Sequence, residues 1–368
     1  MSETLAASQP QKRWHSLDAL RGLDTLFIVG LTSALSTSSC LMPERLGDWI
    51  RVQTEHAVWE GCTINDFFFP IFVFISGASM YFSISRSQEK GQAKFPLIVK
   101  LLKRAAILVF FGMLVNGKLT WDMQEMRFCS VLGLIGLSCA GAGCIALIMK
   151  QWWQRLLAAV AVLLIVGGLQ YFGGDMTMEG CVNARIDALL CPGKLYHEVI
   201  DPEGPLCVFS AVALCLSGFL AGEALNKWSC AFGARWRSAL ALAGVGVILL
   251  LLAGYCGPII KKIWTPAFVL QSAGVSYICL AVFHWLFDGK NWGITISMPL
   301  RVIGVNAIFT YMITHVIPLY TLSQRIFCGL QDILLPEPYV YISHLPCMIL
   351  LTWLLCYYLW RRKIFFKV

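Results

Sequence analysis

The chain has 368 residues, 58% of them hydrophobic and only 14% charged, with a mean hydropathy of +0.69 and a formal net charge of +8. Soluble domains carry about 25% charged residues, so this chain has too little polar surface to cover itself in water, and a soluble globular enzyme is excluded. The positive excess then reads as a signal of membrane topology and not as a nucleic-acid footprint.

A spanning helix needs roughly 20 mostly apolar residues. Ten runs approach that length, centred on 25–42, 64–84, 104–117, 129–149, 156–172, 206–225, 238–256, 267–287, 302–320 and 339–360. In lipid every backbone N–H and C=O must be paired within its own element or barrel. The runs therefore predict an all-α polytopic membrane protein of about ten transmembrane helices; the third run is short, and the ninth carries Arg301 at its edge. With the N-terminus in the cytoplasm, nineteen Lys and Arg fall in inside segments and nine in outside segments, Arg301 set apart. Both termini are accordingly expected in the cytoplasm.

The polar residues 1–16 read as a cytoplasmic tail and not as a cleaved signal, 17–362 as one transmembrane domain, and 363–368 as a short cytoplasmic tail. There is no second soluble domain and no internal repeat. The chain holds no Asn-x-Ser/Thr acceptor, which favours a bacterial inner membrane. Most of the 15 cysteines lie in apolar runs, where they act as small hydrophobes. Cys181 and Cys191 share one outside loop, and pairing and free thiols both stand as readings there.

Charged and polar groups in or beside spans are costly, so each is a functional candidate. Asp18, Arg21 and Asp24 are spaced by three and share a helix face at the cytoplasmic start of the first span. A self-paired ladder accounts for them, and so does an Arg21 that also meets a phosphate. Glu55-His56-Ala57-Val58-Trp59-Glu60 leads on the outside into Asp66 and Phe67-Phe68-Phe69-Pro70. If 55–62 were helical, His56 and Glu60 would share a face, with Asp66 in reach of His56. Histidine suits general-base work near neutrality, while Asp66 as a plain helix cap accounts for the pattern equally well. His197-Glu198-Val199-Ile200-Asp201-Pro202-Glu203-Gly204-Pro205 fixes two carboxylates at the outside surface, suited to a cationic substrate or to a helix N-terminus. Gly257 to Pro266 is an outside turn in which Lys261 and Lys262 read as solvated and Trp264 as an interface anchor. Asn306, Tyr311 and His315 lie in the ninth run, where interhelical hydrogen bonds are the ordinary role.

Taken together these motifs resemble the heparan-α-glucosaminide N-acetyltransferase family, most closely its bacterial branch. The matching stretches are Ser16-Leu17-Asp18-Ala19-Leu20-Arg21-Gly22, Glu55-His56 with Trp59, Gly61, Asp66, Phe69-Pro70 and Phe74-Ile75-Ser76-Gly77, then Ile186-Asp187, Leu195-Tyr196, Asp201-Pro202-Glu203-Gly204, Lys261 with Trp264-Thr265-Pro266, and Gly304 with Asn306. They keep the family's order over roughly residues 13 to 315. His56 together with the Asp-Pro-Glu-Gly motif is specific; the Leu-Asp-x-Leu-Arg-Gly start is shared with other membrane acyltransferases. Lys194 and Ile260 depart from the family's usual His and Asn.

The resemblance implies transfer of an acetyl group from cytoplasmic acetyl-CoA to the amine of a glucosamine-type sugar across the membrane. His56 is then the base and Asp66 its orienter, with Asn306 or Lys261 as oxyanion donor. Asp201 and Glu203, with Lys261, Trp59 and Glu60, would bind the sugar. Arg21, Lys100, Lys103 and Arg104 would clamp the nucleotide end of acetyl-CoA, the acyl donor. No metal and no nucleic-acid partner is implied, and the family leaves room for a homodimer. The competing classes are a sugar or solute transporter without acyl transfer and a membrane O-acyltransferase. The absence of inverted repeats counts against the transporter, and the pairing of His56 with Asp-Pro-Glu-Gly counts against the O-acyltransferase.

Overall fold

The computed structural model describes residues 14–117, 122, 124–288, 291–335 and 339–366. Lys12, Arg13, Lys118, Lys290 and Lys367, which enter the charge balance above, lie outside the described residues, as does most of the 1–16 tail. Among the described residues, fifteen helices of six residues or more follow in chain order: α1 His15–Leu41, α2 Glu44–Thr54, α3 Ile64–Glu89, α4 Lys94–Val115, α5 Val131–Ile148, α6 Trp152–Phe172, α7 Val182–Leu190, α8 Pro205–Ala231, α9 Arg235–Ala253, α10 Pro266–Phe287, α11 Asn291–Ile296, α12 Met298–Gly304, α13 Ala307–Val316, α14 Leu319–Leu334 and α15 Tyr339–Arg361. Among the described residues the only β pairing is two isolated bridges, so the protein is all-α.

Among the described residues, eight helices are long and apolar enough to cross a membrane: α1, α3, α5, α6, α8, α9, α10 and α15. The other two expected runs differ for physical reasons. The third lies in α4, whose 22 residues extend about 33 Å, but its first half carries Lys94, Lys100, Lys103 and Arg104. The ninth is not one helix. It breaks between α12 and α13 at Asn306, whose backbone leaves the helical region at φ −116° and ψ 31°.

Small residues set the packing at the centre. Lipid tails are as apolar as the helices, so association relies on close van der Waals contact at small side chains. α8 carries Gly218-Phe219-Leu220-Ala221-Gly222 against α3, and a Cβ on Gly218 would overlap the carbonyl oxygen of Phe74. On α3, a Cβ on Gly77 would overlap the carbonyl oxygen of Cys215 in return. α8 is therefore the inner column, with 72% of its apolar window buried, against 17% for α6. Leu164, Ile165 and Phe172 on α6 are exposed, as a lipid-facing helix requires. α1 crosses α12 at a second close approach, Gly22 against Leu300 and Gly304 against Asp18.

Both described chain ends sit at one end of the bundle. The Ser16 N–H donates to Asp288 (3.1 Å), and the Trp14 ring packs on His284. His284 joins Asp288 through Nδ1 (2.8 Å) and Ser238 through Nε2 (2.9 Å). This buried serine–histidine–aspartate row anchors the start of α1. At the same end, the Asn306 amide holds the carbonyl of Ile364 and the N–H of Phe366, at 3.1 and 3.0 Å. We call this end the termini face. α1 runs from it to Leu41, so the α2 region and the turn before α3 lie at the opposite end, the loop face. The π-helical turn at Phe27–Leu31, with a non-helical Gly30, interrupts α1 midway, a known cause of helix kinks.

Candidate active site

The loop-face site is organised by one carboxylate. Residues 55–63 form an irregular loop, so His56 and Glu60 do not share a helical face; Glu60 is exposed and Trp59 donates its indole N–H to the carbonyl of Met176 at 2.7 Å. Asp66 lies fully buried in the first turn of α3. Its Oδ2 accepts the backbone N–H groups of Thr63 (2.9 Å) and Ala57 (3.2 Å). Its Oδ1 meets His56 Nδ1 at 2.7 Å and accepts from Lys261 Nζ at 3.0 Å. The cap and the orienter are thus two oxygens of the same residue. In the tautomer with the proton on Nδ1, donated to Oδ1, the Nε2 lone pair is available as a base; Lys261 Nζ also lies 3.0 Å from Nδ1. The His56 side chain is 58% exposed, open to a reacting group.

Lys261 comes from 195 residues further along the chain, and local backbone chemistry delivers it. Gly61 adopts φ +96° and its N–H donates to the carbonyl of Ile259 (2.8 Å), pairing the His56 loop with the turn before α10. Thr265 holds that turn by donating to Pro258 O (2.9 Å) and accepting from Ile260 N (3.1 Å). Trp264, in the left-handed region at φ 50°, is buried against Phe69 and Phe268 and is not an interface anchor. Lys261 is likewise not a solvated lysine. Burial lowers its pKa, with Asp66 and then Glu203 acting in the opposite direction. Asn65, unremarked in the sequence, lies beside the His56 ring, its Nδ2 3.4 Å from Nδ1.

A second polar cluster stands on the same face. Arg127 grips Asp201 with two hydrogen bonds of 2.7 Å, from Nε and Nη2, and also pairs with Glu203. Tyr196 covers the guanidinium. Asp201 is 1% exposed and also accepts the backbone N–H groups of Tyr196 and Glu203. Both Asp201 oxygens are thus engaged within the protein. Burial pushes Glu203 up to about 7, with Arg127 opposing. Burial also pushes Asp187 up to about 6; its Oδ2 accepts from the Asp201 N–H at 2.9 Å. Arg127 entered the sequence reading only as a charge in the topology count. A lone arginine in a short loop carries no motif, and only the fold shows its partners. Cys191 faces Cys129, with sulfurs 3.3 Å apart, and not Cys181, which is turned toward Met178.

The expected donor-side residues converge. A cavity of about 530 Å³ opens at the termini face and is lined by Arg21, Lys100, Lys103 and Arg104 together. Lys100, Lys103 and Arg104 occupy one face of α4 at i, i+3 and i+4. Across from them α3 contributes Ser76, Ser79, Ser83 and Ser87, one turn apart on one stripe. Arg21 donates to Ser79 and lies 3.8 Å from Asp18. Asp24 does not complete the ladder: it is 2% exposed, and neither oxygen has a hydrogen-bond partner among the described residues. Asn306 is the clearest correction. It lies at the termini face with both amide atoms engaged by the C-terminal segment, at the far end of the bundle from His56, so it supplies no oxyanion donor there.

Fold and site together define a class: an all-α polytopic membrane protein with a carboxylate-held histidine and a half-buried lysine at one end of the bundle and a cationic cavity at the other. Over 380 aligned residues the chain is 27% identical to heparan-alpha-glucosaminide N-acetyltransferase of Homo sapiens, covering 85% of this chain and 56% of that protein. Against the Mus musculus protein of the same name it is 24% identical over 428 residues, covering 98% and 62%. No family model matches the chain. The likeness to these N-acetyltransferases runs along most of the chain's length. The chain spans less than two thirds of either mammalian relative.

Proposed function

We propose that this protein is a transmembrane acyltransferase that passes an acetyl group from acetyl-CoA, held at the termini face, to the amine of a glucosamine-type sugar at the loop face. The observation that carries the reading is the His56–Asp66–Lys261 constellation, taken with the mammalian relatives named N-acetyltransferases. The cationic cavity fits the phosphates of CoA through charge-assisted hydrogen bonds. The α3 lining residue nearest Asp66 in the chain, Phe72, is six residues from it, about 9 Å along a helix axis, a distance that a pantetheine arm covers easily.

The sugar arrives as an ammonium and must lose a proton before it can attack. As the nitrogen adds to the thioester carbonyl, His56 Nε2 takes an N–H proton. Asp66 holds Nδ1–H and keeps the ring in the basic tautomer, the logic of base plus orienter. The oxyanion forms next to Lys261, a preorganised cation in a largely desolvated position. Collapse breaks the C–S bond, and the CoA thiolate leaves with the proton handed on by the His56 imidazolium, while the proton shed by the ammonium before attack goes to solvent at the loop face. In this reading both termini are cytoplasmic, the membrane is a bacterial inner membrane, and no metal takes part.

The test is transfer of radiolabelled acetyl from acetyl-CoA to glucosamine by purified protein in liposomes, with His56→Ala beside wild type. Transfer that disappears in the variant is the expected result. Acetylation of a hydroxyl-only sugar in preference to glucosamine would move the reading to an O-acyltransferase. Neither binding of acetyl-CoA nor transfer by wild type would end the acyltransferase reading in favour of transport.

A further inference from the structure

We propose that the C-terminal segment builds the base-binding wall of the donor cavity, with Phe366 stacking the adenine ring of the CoA thioester. The inference rests on the acyltransferase reading and extends it to residues that no motif touches. After α15 the chain turns back under the bundle, and Phe366 joins Arg21, Lys100, Lys103 and Arg104 in lining the same cavity. One face of its ring lies parallel on Phe309, with centroids 4.3 Å apart and planes 5° apart. The side chain still leaves Phe366 49% exposed.

That exposure is not loose. Asn306 clips the segment from both sides, accepting the Phe366 N–H and donating to the Ile364 carbonyl. The broken helix at Asn306 thereby does a specific job: it frees a side-chain amide to fix the wall. A ring held rigid, backed by a second ring and open on one face is a stacking platform. Base–aromatic stacking contributes about 1–3 kcal/mol per base. Cations line the cavity beside it, and Arg104 Nε is buried without a hydrogen-bond partner among the described residues, a donor left for an anion. An aromatic platform beside a phosphate-binding cluster matches the adenosine phosphate end of CoA. The serine stripe of α3 leads away from it toward Asp66 and suits the amide-bearing pantetheine arm.

The test compares donor binding with and without the nucleotide. Affinities for acetyl-CoA and for acetyl-pantetheine, which lacks the adenosine phosphates, are measured on detergent-purified wild type, Phe366→Ala, Phe366→Tyr and Asn306→Ala. Phe366→Ala should weaken acetyl-CoA binding about five- to 150-fold, the range given by the stacking energy, and leave acetyl-pantetheine unchanged. Phe366→Tyr should retain binding, and Asn306→Ala should lower acetyl-CoA affinity in the same selective way. Unchanged acetyl-CoA affinity in Phe366→Ala, or equal losses for both donors, overturns the wall. If wild type itself binds no acetyl-CoA, the acyltransferase reading fails and this inference with it.

Discussion

At the scale of single residues, Asp66 explains why the site is where it is. A buried carboxylate needs its lone pairs satisfied, and here backbone N–H groups take one oxygen while His56 and Lys261 take the other. Lys261 gives the sharpest pH prediction. A lysine is cationic below its pKa, and burial lowers the pKa of Lys261, so its charge is lost at a lower pH than for a free lysine. If that charge stabilises the oxyanion, kcat should fall along an alkaline limb lying below the ordinary lysine range. Arginine stays charged throughout, so Lys261→Arg should move the limb upward or remove it while lowering the maximal rate through altered geometry. A pH–rate profile of the two proteins decides this; an alkaline limb identical in both assigns it to another group.

At the scale of elements, the turn before α8 and the segment before α5 are held as one unit. Arg127 lies opposite Gly193 in an antiparallel bridge, and the Lys194 N–H donates to Met126 O at 3.1 Å. Stepping two residues along each strand in this register puts Cys129 opposite Cys191, at a non-hydrogen-bonded pair where side chains approach most closely. If the loop face is oxidising, transfer of two electrons and two protons to a dithiol oxidase would close a Cys129–Cys191 disulfide and hold Arg127 on its carboxylates. Mass spectrometry of membranes alkylated before lysis should find a linked pair of peptides carrying Cys129 and Cys191, with Cys181 alkylated. A Cys181–Cys191 link would contradict the register. The same two segments show where the sequence was legible and where it was not. His56 with Asp66 was readable because both sit in one short stretch beside a span, where polar residues stand out against apolar neighbours. Arg127 with Asp201 was not, because 74 residues separate them and neither spacing nor composition encodes a long-range pair. Asn306 was misplaced for a related reason: a polar residue inside an apolar run says that a partner exists, but not at which end of the bundle.

At the scale of the whole molecule, the helices sort charge between two faces. Apolar run length fixed nearly all the spans, since that property is local and dictated by bilayer thickness. At α4 the apolar run is shorter than the helix because the cavity's cations sit within it, and the ninth run is broken between α12 and α13, where Asn306 meets the C-terminal segment. The native cysteines report which face looks outward. Cys256 is exposed in the turn after α9, on the loop face near Lys261, and Cys230 is exposed at the opposite end of α8, on the termini face. The proposed orientation, drawn from the lysine and arginine balance, has the termini face in the cytoplasm. In intact cells a membrane-impermeant maleimide should therefore modify Cys256 and spare Cys230, and permeabilisation should expose Cys230. Peptide mass spectrometry separates the two sites without any substitution. The reverse pattern would place His56 in the cytoplasm and the cationic cavity outside. Cytoplasmic acetyl-CoA would then have no route to Lys100 and Arg104, and the transfer direction proposed for this chain would fall even if the chemistry at His56 stood.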